Sequence, residues 1–160
     1  MAVDMFLELD GIKGEAQDKT HVDKIDVLAW SWGLSQAGTT HMGSGSGAGK
    51  VSVQDVSFTK YIDKSSPTLV LRCADGKHIK KGKLIVRKAG ENPLEYIIID
   101  FEDLIVTAVS NGGSGSEDRL TENVTLNFGK FHYKYTLQNP NGSKGAETEA
   151  KWDIPKNVSA

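Results

Sequence analysis

Apolar and polar residues alternate along much of the chain, the pattern of strands with one buried face. Val3, Met5, Leu7 and Leu9 alternate with Asp4, Phe6 and Glu8, which predicts a first strand. A polar segment with Gly11 and Gly14 follows and reads as a loop. Ile25 to Ser35 reads as a second strand with two unlike faces. Leu28, Trp30, Trp32 and Leu34 fall on one side and are assigned to the core; Ala29, Ser31, Gly33 and Ser35 fall on the other. Val51 and Val53, then Val56 and Phe58, change phase across Gln54-Asp55, which predicts a bulge.

Further on, strands are predicted at Leu84 to Arg87, Leu94 to Phe101 and Leu104 to Val109. Leu94 to Phe101 is apolar on both faces, so something beyond the main core should cover it. Leu120, Val124, Leu126 and Phe128 keep one phase; Phe131, Tyr133, Tyr135 and Leu137 keep the other. A bend at Gly129-Lys130 would re-register one long strand around a corner. Asn139 to Thr148 reads as a polar loop, and Ala150 to Ile154 as a last strand. The single helix signal covers about residues 66–75: Ser66 suits the N-cap, Pro67 the first helical position and Gly76 the left-handed stop. Many short strands and one helix predict a mainly β fold, an antiparallel barrel or tight sandwich, with residues 1–160 as a single domain.

Composition narrows the function classes. A net charge of −2 offers no electrostatic footprint for nucleic acid. No stretch is long and apolar enough for a membrane span, and the N-terminus lacks the basic and apolar regions of a signal peptide. A lone cysteine, Cys73, excludes an internal disulfide and a thiolate metal cluster. His21, His41, His78 and His132 show no metal-ligand spacing. No metal, cofactor or catalytic residue is therefore assigned, although acids gathered by the fold could still make a hydrolase.

The stretch His41, Met42, Gly43, Ser44, Gly45, Ser46, Gly47, Ala48, Gly49, Lys50 looks at first like a phosphate-binding loop. Such a loop needs a glycine where Ser44 stands, a hydroxyl where Val51 stands, and a helix after it. The following Val-Ser-Val favours a strand. A long glycine and serine loop joining two strands is the better reading.

Several blocks of the chain resemble a known family. They are Met1 to Phe6, Asp26 to Gly33, His41 to Lys50, Val53 to Pro67 and Gly112 to Phe128. Together they are similar to the hemolysin-coregulated protein (Hcp) family of the bacterial type VI secretion system. The resemblance implies a tight antiparallel β-barrel of two sheets with one short helix. It implies no enzymatic activity. It also implies hexameric rings stacked into a tube, a spike protein at the tip, a contractile sheath around the tube, and small effector proteins in the lumen. Export from the cytoplasm without a signal peptide is part of the same expectation. Under it, the His41 to Lys50 loop projects toward neighbouring subunits. The small residues Ala29, Ser31 and Gly33 suit a smooth, weakly polar lumen wall. The rival reading is a monomeric β-barrel that binds a ligand in a deep apolar cavity.

Overall fold

A computed structural model describes residues 2–38 and 49–160. Among these residues, ten strands and one helix run in the order β1 (Val3–Leu9), β2 (Ile25–Ser31), β3 (Leu34–Ser35), β4 (Ser52–Val53), β5 (Val56–Tyr61), α1 (Ser66–Asp75), β6 (Ile79–Lys88), β7 (Leu94–Asn111), β8 (Thr121–Asn127), β9 (Lys130–Gln138) and β10 (Lys144–Asp153). All pairings are antiparallel. Neighbours β7, β6, β1, β2, β5 and β8 form a sheet that closes on itself through β8–β7 pairing. The result is a six-stranded barrel. β9 and β10 extend the sheet beyond β7, and among the described residues β3 pairs only with β4.

Strand β7 makes closure possible. Its first half lies between β6 and β9, and its second half pairs with β8. Leu94 to Phe101 and Leu104 to Val109, predicted as two strands, are thus one strand with a local defect. The defect is Asp103, in the left-handed region at φ 57. Opposite it, the Gly129 amide donates to the Glu102 carbonyl at 2.9 Å. Asn127 pairs with Ile105 and Lys130 with Glu102, so β8 and β9 run end to end along β7. The bend expected at Gly129-Lys130 is where the chain passes from the barrel wall to the extension.

The barrel interior is filled by side chains. Phe58, Phe101, Leu7, Ile25, Leu84, Ile99, Leu104 and Leu126 are all fully buried. Trp32 packs edge-on against Phe131, with ring centroids 4.9 Å apart. This core differs from the sequence expectation at two leucines. Alternation places Leu28 and Leu34 inward, but both are exposed, at 39% and 44%. Val27 pairs with Lys60 and Ala29 with Thr59, so Leu28 is the extra residue of a bulge. Before the bulge Ile25 and Val27 point inward; after it Trp30 and Trp32 take over. A strict period of two cannot register that slip.

The bulge expected at Gln54-Asp55 is instead a break between two strands: it separates β4, which pairs with β3, from β5 in the barrel, and the Gln54 amide donates to the Gly33 carbonyl at 2.9 Å. The final loop is shorter than expected, because β10 begins at Lys144 rather than near Ala150. Its polar residues face solvent at the sheet edge and show no hydrophobic alternation. β6 likewise extends beyond Leu84 to Arg87 at both ends.

Helix α1 packs against β7 through buried Leu69, with Cys73 partly covered. It ends at Gly76, in the left-handed conformation at φ 66, whose amide donates to the Arg72 carbonyl. The N-cap is Ser65 rather than Ser66. The Ser66 hydroxyl is instead committed to the interior. It accepts from the Asp63 amide at 2.9 Å and donates to Glu122 Oε1 at 3.0 Å.

Residues 13–24 cover the outer face of β1 and β6. Phe6 and Ile85 are buried there beneath Ala16. Asp18 holds the segment down with two oxygens on Arg87, at 2.6 and 3.0 Å. The Arg87 hydrogen bonds, helped by Thr20, hold the Asp18 carboxyl well below the usual carboxylate range. A depressed carboxyl stabilises the fold above its unfolded value, near 3.9, and loses that contribution as pH falls through the folded value. Asp18→Asn should therefore cost about 1–3 kcal/mol at neutral pH. Urea denaturation measures the loss, and it should shrink in strong acid. An equal loss at all pH values would contradict this role for the charge.

Candidate functional site

The outer wall of the barrel where β2, β5, β8 and β7 run side by side carries an unusual surface. Register places Ala29 opposite Thr59, Thr59 opposite Asn123, and Asn123 opposite Ser110. The adjacent rung reads Ser31, Ser57, Thr125 and Ala108. Residues directly opposite on neighbouring strands share a face. These two rungs therefore form one surface, four strands wide, without a charge or a large apolar side chain. The inward partners explain why it stays on the outside: Phe58, Val56, Val124 and Leu126 hold the alternate positions in the core.

Short cross-strand hydrogen bonds tie this surface together. Thr59 Oγ1 donates to Asn123 Oδ1 at 2.8 Å, and the Ser57 and Thr125 hydroxyls lie 3.3 Å apart. Charges border it on both sides. Asp55 accepts from Thr107 Oγ1 at 2.9 Å and from Asn127 Nδ2 at 2.8 Å. The Arg119 guanidinium lies over the Tyr61 ring at 3.7 Å. Of the three small residues singled out in the sequence, Ala29 and Ser31 fall within the two rungs. Gly33 stands outside them, at the joint between β2 and β3. Residues 41–48 lie outside the described residues, while Gly49 and Lys50 are exposed just before β4.

The opposite wall is its chemical inverse. Across β1, β6, β7, β9 and β10 one rung reads Glu8, Lys83, Asp100, His132 and Lys151. The next reads Lys81, Glu102, Lys130 and Asp153. Most of these charges are compensated within the chain. Asp100 lies 3.7 Å from both Lys83 and Lys134, and Lys130 lies 3.6 Å from Asp153. His132 Nε2 meets Glu149 Oε2 at 2.8 Å, and that hydrogen bond lowers the Glu149 carboxyl below its usual range. Such ion pairs at the surface contribute little stability individually.

No catalytic constellation emerges from the described residues. Each described histidine contacts a carboxylate: His21 meets Glu95 at 2.6 Å, His78 meets Asp103 at 2.7 Å, and His132 meets Glu149. None of them hydrogen-bonds a hydroxyl or thiol among the described residues, so no histidine-activated nucleophile is formed there. No group of three or more His, Cys, Asp or Glu among the described residues is placed to hold a metal ion. A groove of about 310 Å³ along Lys81, Asp100, Glu102, Lys130 and His132 is lined by charges of both signs. Asp26 is the outlier. Burial pushes its carboxyl above the usual range, against the pull of Arg119. A raised carboxyl destabilises the fold while ionised, and the penalty disappears once pH falls below the unfolded value. Asp26→Asn should therefore raise the urea midpoint at neutral pH and leave it unchanged near pH 3. A lower midpoint at neutral pH would refute this reading.

Solved structures place this fold. The crystal structure of Hcp1 from Salmonella typhimurium superposes with a TM-score of 0.82 at 38% identity, covering all of both chains. A crystal structure of a type VI secretion system effector from Yersinia pestis superposes with a TM-score of 0.78 at 40% identity, covering 94% of this chain and all of that one. The barrel with its short helix is thus of the type VI secretion class. The family model described as "Type VI secretion system effector, Hcp" matches residues 6–135, and Protein hcp1 of Pseudomonas aeruginosa is 57% identical over 162 residues, covering all of both chains. The chain belongs to the Hcp family. No helix among the described residues is long and apolar enough to cross a membrane.

Proposed function

We propose that this chain is the tube subunit of a type VI secretion system. It assembles into hexameric rings that stack into a tube, with the neutral wall around Ser31 facing the lumen. The observation that carries this reading is the contrast between the two walls. A passage for folded effector proteins needs a surface without charged or apolar anchors, and the two rungs through Ala29 and Ser31 meet that need. The charged wall would then face outward, toward the contractile sheath. Family membership supports the same assignment. Gly33 would border the lumen wall, and the loop His41 to Lys50, carried between β3 and β4, would contact neighbouring copies. A spike protein would cap the tube, and the subunit would leave the cell by contraction, without catalysing a reaction.

Heterologous contacts that close on themselves give a ring of fixed mass. Light scattering after gel filtration should therefore return the mass of a hexamer, and a monomer mass would overturn the assembly. Ser31→Phe should keep the ring but reduce co-purification of a lumenal effector. If the ring itself fails, the face is a contact between copies instead. The rival ligand-binding barrel loses its support in the core, where aromatic and aliphatic side chains occupy the space a deep cavity would need.

A further inference from the structure

We propose that Asn111 is a site of spontaneous deamidation, and that Asn141, in the same Asn-Gly context, is protected from it. The reaction requires the next residue's amide nitrogen to reach the asparagine Cγ. It is helped when that residue has no side chain and when neither group is held in a hydrogen bond. Asn111 is the exposed last residue of β7, and its side chain makes no hydrogen bond among the described residues. A Cβ at Gly112 would meet nothing within 4 Å, and the Gly112 amide donates no hydrogen bond among the described residues. Asn141 is held differently. Its Oδ1 accepts from the Ser143 amide at 3.0 Å and the Ser143 hydroxyl at 2.6 Å. The nitrogen that would attack it, that of Gly142, donates to the Asn139 carbonyl at 2.8 Å.

The chemistry needs only water. The Gly112 nitrogen forms a bond to Asn111 Cγ and gives up its proton, and Nδ2 leaves as ammonia. The cyclic imide then takes up water at one of its two carbonyls. Opening at one gives aspartate; opening at the other gives isoaspartate, with the backbone rerouted through the side chain. Attack requires Asn111 to leave its extended conformation, and a strand end opens at the lowest cost. The consequence reaches the interior. Asn111 pairs directly with Glu122, the buried carboxylate that holds Lys60. A new negative charge there faces a like charge across the strand pair, which destabilises the end of the barrel beside α1.

The test is incubation of the folded protein at mildly alkaline pH, followed by peptide mass mapping and enzymatic methylation of isoaspartate. The Asn111 peptide should convert about tenfold faster than the Asn141 peptide, and in urea the two should converge. Gly112→Ala should slow conversion at Asn111, and Asn111→Gln should abolish it. Conversion of Asn141 at an equal or greater rate in the folded protein overturns the proposal. So does an Asn111 that stays intact when folded but converts in urea. Asn111→Asp should also lower the urea midpoint; an unchanged midpoint would sink the claimed effect on the interior.

Discussion

Lys60→Met should destabilise the chain by about 3–5 kcal/mol, because it strands a buried carboxylate. Lys60 and Glu122 both have fully buried side chains, 2.7 Å apart, inside the barrel near the start of α1. The ammonium also reaches the Tyr61 carbonyl at 2.9 Å, Asp63 Oδ1 at 3.2 Å and the Ser66 hydroxyl at 3.3 Å. One cation therefore ties together the end of β5, the turn before the helix, the first helical residue and β8. Without it, among the described residues, Glu122 keeps only the Ser66 hydroxyl on Oε1 and has no partner on Oε2. A loss of this size corresponds to a fall in Tm of roughly 10 °C or more for a chain of this length. The double replacement Lys60→Met with Glu122→Leu should recover much of it, since a buried ion pair often contributes little over an apolar pair. A single substitution costing under about 1 kcal/mol would show that the pair is not buried as described.

Gly14→Val should be the second severe change, at about 3 kcal/mol. A Cβ at Gly14 would lie 2.6 Å from the Lys24 carbonyl oxygen and 2.7 Å from Ile25 Cα, both backbone atoms that cannot swing aside. The two chain segments are held at this distance by hydrogen bonds from the Gly14 amide to Asp23 and from the Ala16 amide to Lys24. The added side chain would push residues 13–24 off β2 and uncover Phe6 and Ile85. Gly11 provides the contrast. It has φ +74 and nothing within 4 Å of its Cβ position, so Gly11→Ala should cost only the backbone strain, about 1–2 kcal/mol. Urea denaturation of both variants separates the two mechanisms. Equal costs would argue against the close approach at Gly14.

Both residues show the limits of reading the chain alone. Lys60 alternates with Phe58 and Val56 and so lies on the inward face by phase, yet a lysine there reads as an exception until Glu122 is placed opposite. The two are 62 positions apart, and nothing local signals their meeting. Gly14 reads as an ordinary loop glycine, because its constraint comes from a later segment. Leu28 misled for a related reason: a bulge is set by the partner strand, whereas alternation is a property of one strand. β10 extends back to Lys144, ahead of its alternating end, because an exposed edge strand need not alternate.

The sequence by itself determined the strand-rich class, the place of the helix and its stop at Gly76, the irregularities at Gln54-Asp55 and Gly129-Lys130, and the small-residue character of Ala29 and Ser31. These are local properties, carried by propensity, capping residues and side-chain volume. Only the tertiary structure decided that β7 borders both halves of the molecule, that Lys60 meets Glu122, and that Ala29 and Ser31 continue through Ser57, Thr59, Asn123 and Thr125 into one neutral wall. Register between strands is set by which apolar faces can be buried together, and that depends on every strand of the barrel at once.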